Sequence, residues 1–447
     1  MRKINSTPID LAKVVFTKLK GIKTSSKLPD QKLLNNLFEN LFYASLKTEE
    51  SDSIKVTITL IDQENPDPKP PKNILKDRWS FVRFSKAIDF DVKTIVKLSK
   101  AADPWSSSLA VDYNSKGELF IWGLIDQSIH YQNYLHYESE SGPEQPGLFQ
   151  TSIIGTGTLL VILDYDLIAT LKQNILISNY VDVFRFGRVS EIIKSHSKIL
   201  NSEIGSFLKN YPKENYEFWL SQVNNLWTQT LSRILIKIQN YGRGGSFIIT
   251  TGESNDFDIK HIIQYNRIFS ALKNFLRFSI ESNENSNLIL KINDEDQIPM
   301  GIYLDEFISN IDKQETSNEL KGAIRFVASL TCIDGLVVLN NELNVLGFGA
   351  VVKKINLPDE IYISKTARVN INKLEAINPN HFGTRHRAML SYCWKHEGSL
   401  GFVVSQDGDI RTITKVGNKL IMWENIRVHH LVKSSKLRRT SILSRKI

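Results

Sequence analysis

The order of patterns over residues 318–428 constrains the fold more than anything else in this 447-residue chain. A helix-spaced apolar run ends at Leu330, and IDGLVVL over 333–339 follows as a buried-strand pattern. A turn and LNVLGFG complete a hairpin. The basic pentapeptide GTRHR over 383–387 then opens AMLSYCW, whose apolar spacing suits a helix, and GFVVSQDGDIRTIT adds strand, polar turn and strand. This succession predicts an α/β fold, a mixed sheet flanked by helices.

Two pieces of the run carry chemistry. GTRHR sets two guanidiniums, an imidazole, a hydroxyl and a glycine where a helix begins. Free N–H groups and the positive end of the helix dipole favour phosphate there. Arginines add bidentate, charge-assisted bonds to phosphate oxygens. Asp334 supplies the carboxylate that an anion site lacks, able to hold a divalent metal beside phosphates. Taken alone, RHR reads as a solvated basic turn and DG as a hairpin turn. The position of Asp334-Gly335 inside an apolar run argues against the latter, and the two motifs together predict a metal–nucleotide site.

In this order the motifs resemble the diadenylate cyclase domain family, whose pattern is DGA on a strand, GTRHR opening a helix, and a following VVSEE segment. Here they stand as Asp334-Gly335-Leu336, Gly383-Thr384-Arg385-His386-Arg387 and Val403-Val404-Ser405-Gln406-Asp407. The resemblance covers about a quarter of the chain. Leu336 replaces an alanine, Gln406 replaces a glutamate, and the connection from Asp334 to Gly383 is longer than the family's, with polar residues around 365–380.

The resemblance implies a nucleotidyltransferase that condenses two ATP into cyclic di-AMP and releases two pyrophosphates. It implies Asp334 as the catalytic group and a ligand of Mg²⁺ or Mn²⁺, with Asp407 as a second metal ligand. Gly335 and Leu336 would meet nucleotide through their backbone. Gly383, Thr384, Arg385, His386 and Arg387 would hold the phosphates, and Ser405 would complete the site. Residues two apart on a helix diverge by roughly 200°. Arg385 and Arg387 therefore share one phosphate chain only if the motif straddles the start of the helix. Two equivalent bonds between two equivalent nucleotides require facing half-sites, hence a homodimer or higher homo-oligomer. Leu336 and Gln406 leave a second reading open, a nucleotide-binding sensor that has lost turnover.

Upstream, DQKLLNNLFENLFYASL over 30–46 has helical spacing, 54–61 alternates toward strand, and 64–72 is a proline-rich loop. Residues 79–102 read as strand then helix. Residues 107–112 and 119–125 form a hairpin around Asn114-Ser115-Lys116-Gly117, and strand pairs occupy 149–163 after a loop at 139–147. Residues 189–240 are helical. YGRGGSFIITT over 241–251 gives a glycine turn into a strand; its glycines lack the GxxxxGK[ST] spacing and read as a tight turn. Further helices are predicted over 258–279 and 313–330. Trp105 and Ser106–Ser108 offer a recognition platform or, more simply, a packed indole at the start of a strand.

The segments LFENLFYASLKTEE, AADPWSSSLAVD, LFIWGLIDQ and SGPEQPGLFQ resemble a sensor-type domain, DACNV, found ahead of cyclase domains. The predicted organisation is a sensor region over 1–310 (α/β over 1–188, helical and mixed over 189–310), a cyclase-like domain over 311–430 and a basic tail over 431–447. There is also an internal echo: TIVKLSKAADPWSSSLAVDYNSKGELFIWG and LKGAIRFVASLTCIDGLVVLNNELNVLGFG both read helix, break, strand, turn, strand, glycine. Shared α/β grammar accounts for it, and a degenerate duplicate of the nucleotide fold is the sharper alternative.

Composition excludes several classes. Cys332 and Cys393 are too few for a disulfide framework and lack zinc-type spacing, and no stretch approaches the ~18 apolar residues of a membrane span, so a cytoplasmic protein is expected. The formal charge of +8 contains six basic residues of the tail, leaving a nearly balanced body at +2. The tail carries no aromatic residues for base stacking, which argues against nucleic acid as a partner.

Overall fold

The computed structural model describes residues 2–20, 29–66, 79–102, 106–126, 148–163, 166–211, 215–251, 254–291, 299–406 and 408–428. The expected loop at 139–147, most of the loop at 64–72, Trp105, Asp407 and the basic tail lie outside them. The chain divides into two compact units that meet in sequence at Tyr180 and Val181, and the fold class is α/β in both.

The N-terminal unit runs β1 (Arg2–Lys3), α1 (Pro8–Leu19), α2 (Gln31–Ser45), β2 (Thr48–Glu49), β3 (Asp52–Ser53), β4 (Val56–Leu60), β5 (Ser80–Asp89), α3 (Val92–Leu98), β6 (Ser107–Tyr113), β7 (Leu119–Asp126), β8 (Phe149–Gly155), β9 (Thr158–Leu163), β10 (Asp166–Lys172) and β11 (Ile175–Ile177). Its sheet has the order β1-β11-β10-β9-β8-β4-β6-β7-β5. Asp30 caps α2 by accepting from the Leu33 amide at 2.7 Å, and Asp91 caps α3 by accepting from Thr94 at 2.8 Å, as aspartate at an N-cap should. The apolar stripes of α1 and α2 bury Leu11, Val15, Leu34, Leu37, Phe38 and Leu41 against Val56, Ile58 and Leu60 of the central strand.

The C-terminal unit runs α4 (Gly187–His196), α5 (Lys198–Leu208), α6 (Tyr216–Tyr241), β12 (Gly245–Ile249), β13 (Phe257–Tyr265), α7 (Arg267–Lys291), α8 (Met300–Leu330), β14 (Leu336–Leu339), β15 (Val345–Val352), β16 (Ile361–Ile363), β17 (Glu375–Ile377), α9 (Thr384–Lys395), β18 (Leu400–Val404), β19 (Ile410–Val416) and β20 (Lys419–Trp423). Its sheet has the order β13-β15-β14-β12-β18-β19-β20-β16-β17. One face, with Phe247, Ile249, Val337 and Leu339, packs on α4–α8. The other, with Ile248, Leu336, Val338 and Val403, packs on Met389, Leu390, Tyr392 and Cys393 of α9.

Three expectations change. A boundary at 310 would fall inside α8 and detach β12, the strand at the centre of the second sheet, so the unit that carries GTRHR begins near Val181. The helix expected over 258–279 is a strand through Tyr265 and a helix only from Arg267. FDIKHIIQY holds enough apolar residues to suit a helix, but it serves as an edge strand paired on one side, with β15. Asp334-Gly335 precedes rather than lies within its strand, since β14 starts at Leu336. The long polar connection before GTRHR contributes the last two strands on one side of the sheet, β16 and the edge strand β17.

Candidate functional site

The site is built at one end of the C-terminal sheet. β12 and β14 run parallel and β18 antiparallel to them, so the start of β14, the start of β12 and the end of β18 share a level. Asp334-Gly335, the turn Gly242-Arg243-Gly244 and the turn from Ser405 to Asp409 therefore collect there. The Ser246 hydroxyl reaches the Gly335 carbonyl at 3.3 Å, tying two of these strand starts together.

α9 brings the basic motif to the same place. Gly383 is its N-cap and supplies no side-chain cap, which leaves the first amides of the helix open to an anion. A Cβ built on Gly383 meets nothing within 4 Å, so the space beside the N-cap is open. The helix is held at both ends. Arg385 Nη2 donates to Asp334 Oδ1 at 2.5 Å across 51 residues of sequence. At the other end Asp256 accepts from Lys395 Nζ at 2.6 Å and pairs with His396; these bonds, Lys395 first, hold its carboxyl below the usual range. Asp334 itself is fully exposed, a carboxylate presented to solvent beside a guanidinium.

The other predicted residues fall into distinct places. Gly335 has φ +107, and a Cβ there would stand 2.6 Å from the main chain of Gly349. Its glycine is required by the neighbouring strand β15, not by a ligand. Leu336 is 1 % exposed and packs under α9, which explains its bulk and leaves only its backbone for nucleotide contact. Ser405 Oγ accepts from the Asp409 amide at 3.1 Å and shapes the β18–β19 turn.

His386, expected at the phosphates, is tied to β19. Arg411 Nη1 donates to its Nε2 at 3.2 Å, while Arg411 Nε is bonded to Glu424 at 2.9 Å. Burial, reinforced by Arg411, lowers the imidazole to about 4, so it is a neutral acceptor rather than a cation at neutral pH. The motif also does not straddle the helix start in the way needed to unite its arginines. Thr384 is already helical, so Arg385 and Arg387 leave the helix roughly 200° apart. Arg385 meets Asp334; Arg387 Nε is buried without a hydrogen-bond partner among the described residues.

Arg243 was not singled out by its sequence context, where YGRGG reads as a tight turn. The turn is real: Gly242 ends α6 with φ 64 and Gly244 has φ 69. Gly244 sits so close to Val404, Ser405 and Gln406 that a Cβ would come within 3.1–3.3 Å of their main chain. The two glycines thus lay an exposed arginine beside the Ser405 turn. Only the sheet register reveals this, because β12 and β18 are far apart in sequence.

No group of three or more His, Cys, Asp or Glu side chains stands together among the described residues. A divalent cation would rest on Asp334 and on phosphate oxygens, the one-carboxylate arrangement that magnesium accepts. A cavity of about 700 Å³, with Tyr265, Phe326, Asp312, Glu315 and Glu319 in its wall, opens at the opposite end of the sheet.

Among known families, the probable sensor domain DACNV matches residues 23–126, from before α2 to the end of β7. No curated protein matches the chain. No described helix is long and apolar enough to cross a membrane.

Proposed function

We propose that the C-terminal unit is a diadenylate cyclase and that the N-terminal unit, which bears the sensor-domain match, regulates it. The observation that carries the reading is the pairing of Asp334 with Arg385 at an uncapped helix N-terminus. A base for the attacking hydroxyl and donors for phosphate are thereby held within one bond of each other. In the reaction, each 3′-hydroxyl oxygen attacks the other ATP's α-phosphorus, two P–O bonds form, two pyrophosphates leave, and two protons are released. Asp334 accepts the hydroxyl proton or orients the hydroxyl for its loss. The α9 amides and Arg385 bind phosphate oxygens and stabilise the charge that develops on pyrophosphate. Arg243 adds a cation at the same sheet end. Mg²⁺ or Mn²⁺, held by Asp334 and the triphosphate, would neutralise phosphate charge; Asp407 is its second proposed ligand. Two chains must face each other, because each supplies one half-site.

The test is the full-length protein with ATP and Mg²⁺ or Mn²⁺, followed by chromatography for cyclic di-AMP. A second reading, a nucleotide-binding sensor without turnover, is favoured by Gln406 at the position of a family glutamate. Binding of ATP with no cyclic di-AMP under either metal would select it. Regulation is tested by comparing rate against protein concentration for the full chain and for residues 181–432; superimposable curves would remove the regulatory role.

A further inference from the structure

The two sheets, described separately, have the same plan. Numbered in chain order, the strands from β4 to β10 lie as 2-4-3-1-5-6-7, and so do β12–β15 and β18–β20. The first is parallel to the third and antiparallel to the fifth in both units, and every other pair is antiparallel in both. In each, the helix before the first strand packs on the fifth, α2 on β8 and α6 on β18.

The likeness extends to single residues. The ladders set Leu60 and Ile249, Phe149 and Leu400, and Ile153 and Val404 at the same rungs. In the third–fourth hairpin a bulge falls at Trp122 in one unit and Leu346 in the other, and a glycine follows each. A Cβ on Gly123 would lie 2.2 Å from the Val82 carbonyl oxygen of strand two; one on Gly347 would lie 2.7 Å from that of His261, also of strand two. Both hairpins turn on an asparagine: Asn114 Oδ1 accepts from the amides two and four residues on, both at 3.0 Å, as Asn340 Oδ1 does at 3.0 and 2.9 Å. The fifth–sixth hairpins have equal length, with Gly157 (φ 63) and Gly408 (φ 82) at the same place.

We infer that the N-terminal unit is a second copy of the cyclase-like fold from which the nucleotide site has been erased. The same registers put Ser106-Ser107 where the C-terminal unit has Asp334-Gly335. Between the fourth and fifth strands, where the C-terminal unit carries GTRHR, residues 127–147 contain no lysine or arginine. The seat of the phosphate-binding helix is filled as well. At Gly401 a Cβ would stand 2.3 Å from Met389 of α9; the equivalent residue is Gln150, whose side chain takes the space such a helix needs. Gln150 Nε2 donates to Thr59 Oγ1 at 3.1 Å, Thr59 bonds Ser108 at 2.8 Å, and Thr57 bonds Ser152 at 2.9 Å. Ser108, Thr59 and Ser152 replace Leu336, Ile248 and Val403, the apolar floor under α9. The echo between the two sequence segments is therefore duplication rather than shared grammar. It follows that the sensor unit recognises something other than a nucleoside triphosphate. The statement about nucleotide rests on the proposed function; the copying of the fold does not.

The experiment is an experimental structure of the full chain with a non-hydrolysable ATP analogue and Mg²⁺, paired with equilibrium dialysis of the analogue. The expected result is the same seven-strand order in both units, nucleotide at the Asp334 end alone, and one analogue per chain. A different order of any of the seven strands in either unit overturns the duplication. Analogue bound in the N-terminal unit, or two per chain, overturns the erasure. Seven matching strands with no analogue anywhere uphold both the copy and the empty N-terminal unit, and count against the proposed cyclase instead.

Discussion

The N-terminal and C-terminal units share a strand plan and differ in what stands on it. In one, the face beyond the central strand is a network of hydroxyls and an amide around Thr59 and Gln150. In the other it is an apolar floor that seats α9 and so delivers Arg385 to Asp334. The comparison separates two demands. A mixed sheet needs alternation, turns and a few glycines at close approaches, and both halves meet it. A phosphate site needs a helix end and an acid at the same sheet end, and among the described residues α9 and Asp334 of the C-terminal half supply them. Fold alone says little of chemistry; the residues placed on it decide.

The sharpest break between the halves is expected at Asp334. Asp334→Asn is nearly isosteric but cannot accept the hydroxyl proton or hold a metal, so cyclic di-AMP formation should fall below detection while ATP binding remains measurable. Ser106→Asn, at the equivalent place in the other copy, should leave the rate unchanged. Full activity in Asp334→Asn would remove the assigned mechanism. Next, Arg385→Ala removes a charge-assisted phosphate contact of about 1.5–3 kcal/mol, so calorimetry should show ATP binding weakened roughly ten- to a hundredfold. Arg387→Ala should weaken it less, because that side chain leaves the helix on another side. Equal losses would mean the two arginines converge after all.

The shared bulge offers a test on stability. Gly123→Ala and Gly347→Ala each force a methyl into the main chain or side chains of strand two and should cost about 1–3 kcal/mol by overpacking. Hydrogen exchange should rise in β5–β7 for the first and in β13–β15 for the second. Exchange unchanged in either would show that the close approach is not required there. The smallest effect is on pH. Burial lowers His386 and His196 to about 4, so the unfolded chain takes up these protons first as pH falls from about 6.5. Stability of the C-terminal unit is therefore full above that pH and declines toward pH 4, with no further loss from these groups below it. All five described histidines belong to that unit, so its thermal transition should move down between pH 7 and 5 more than the other's. Equal shifts would count against burial of neutral imidazoles as the cause.

Much of this was legible in sequence because its signals are local. The α2 helix, the β6–β7 hairpin around Asn114 and the helix opened by GTRHR follow from apolar spacing and turn residues. The rest depends on register. Nothing near Arg243 in sequence says that β18 lies beside it, and nothing near Gly335 says that Gly349 touches its Cα. The strand at β13 was hidden because its register shifts between Ile262 and Tyr265, which breaks the alternation and leaves Ile262 exposed. Nothing beside His386 in sequence shows that it is buried and bonded to Arg411, 25 residues on, burial first and Arg411 second lowering its imidazole to about 4.

If the proposed function holds, the bond between Asp334 and Arg385 means that this guanidinium meets phosphate with its charge already paired. Asp334 engages one of the five N–H donors of Arg385, so a phosphate arrives at a guanidinium whose charge is already compensated. Added salt screens the existing pair along with the new one, so ATP affinity should fall less steeply with ionic strength than the number of cations at the site suggests.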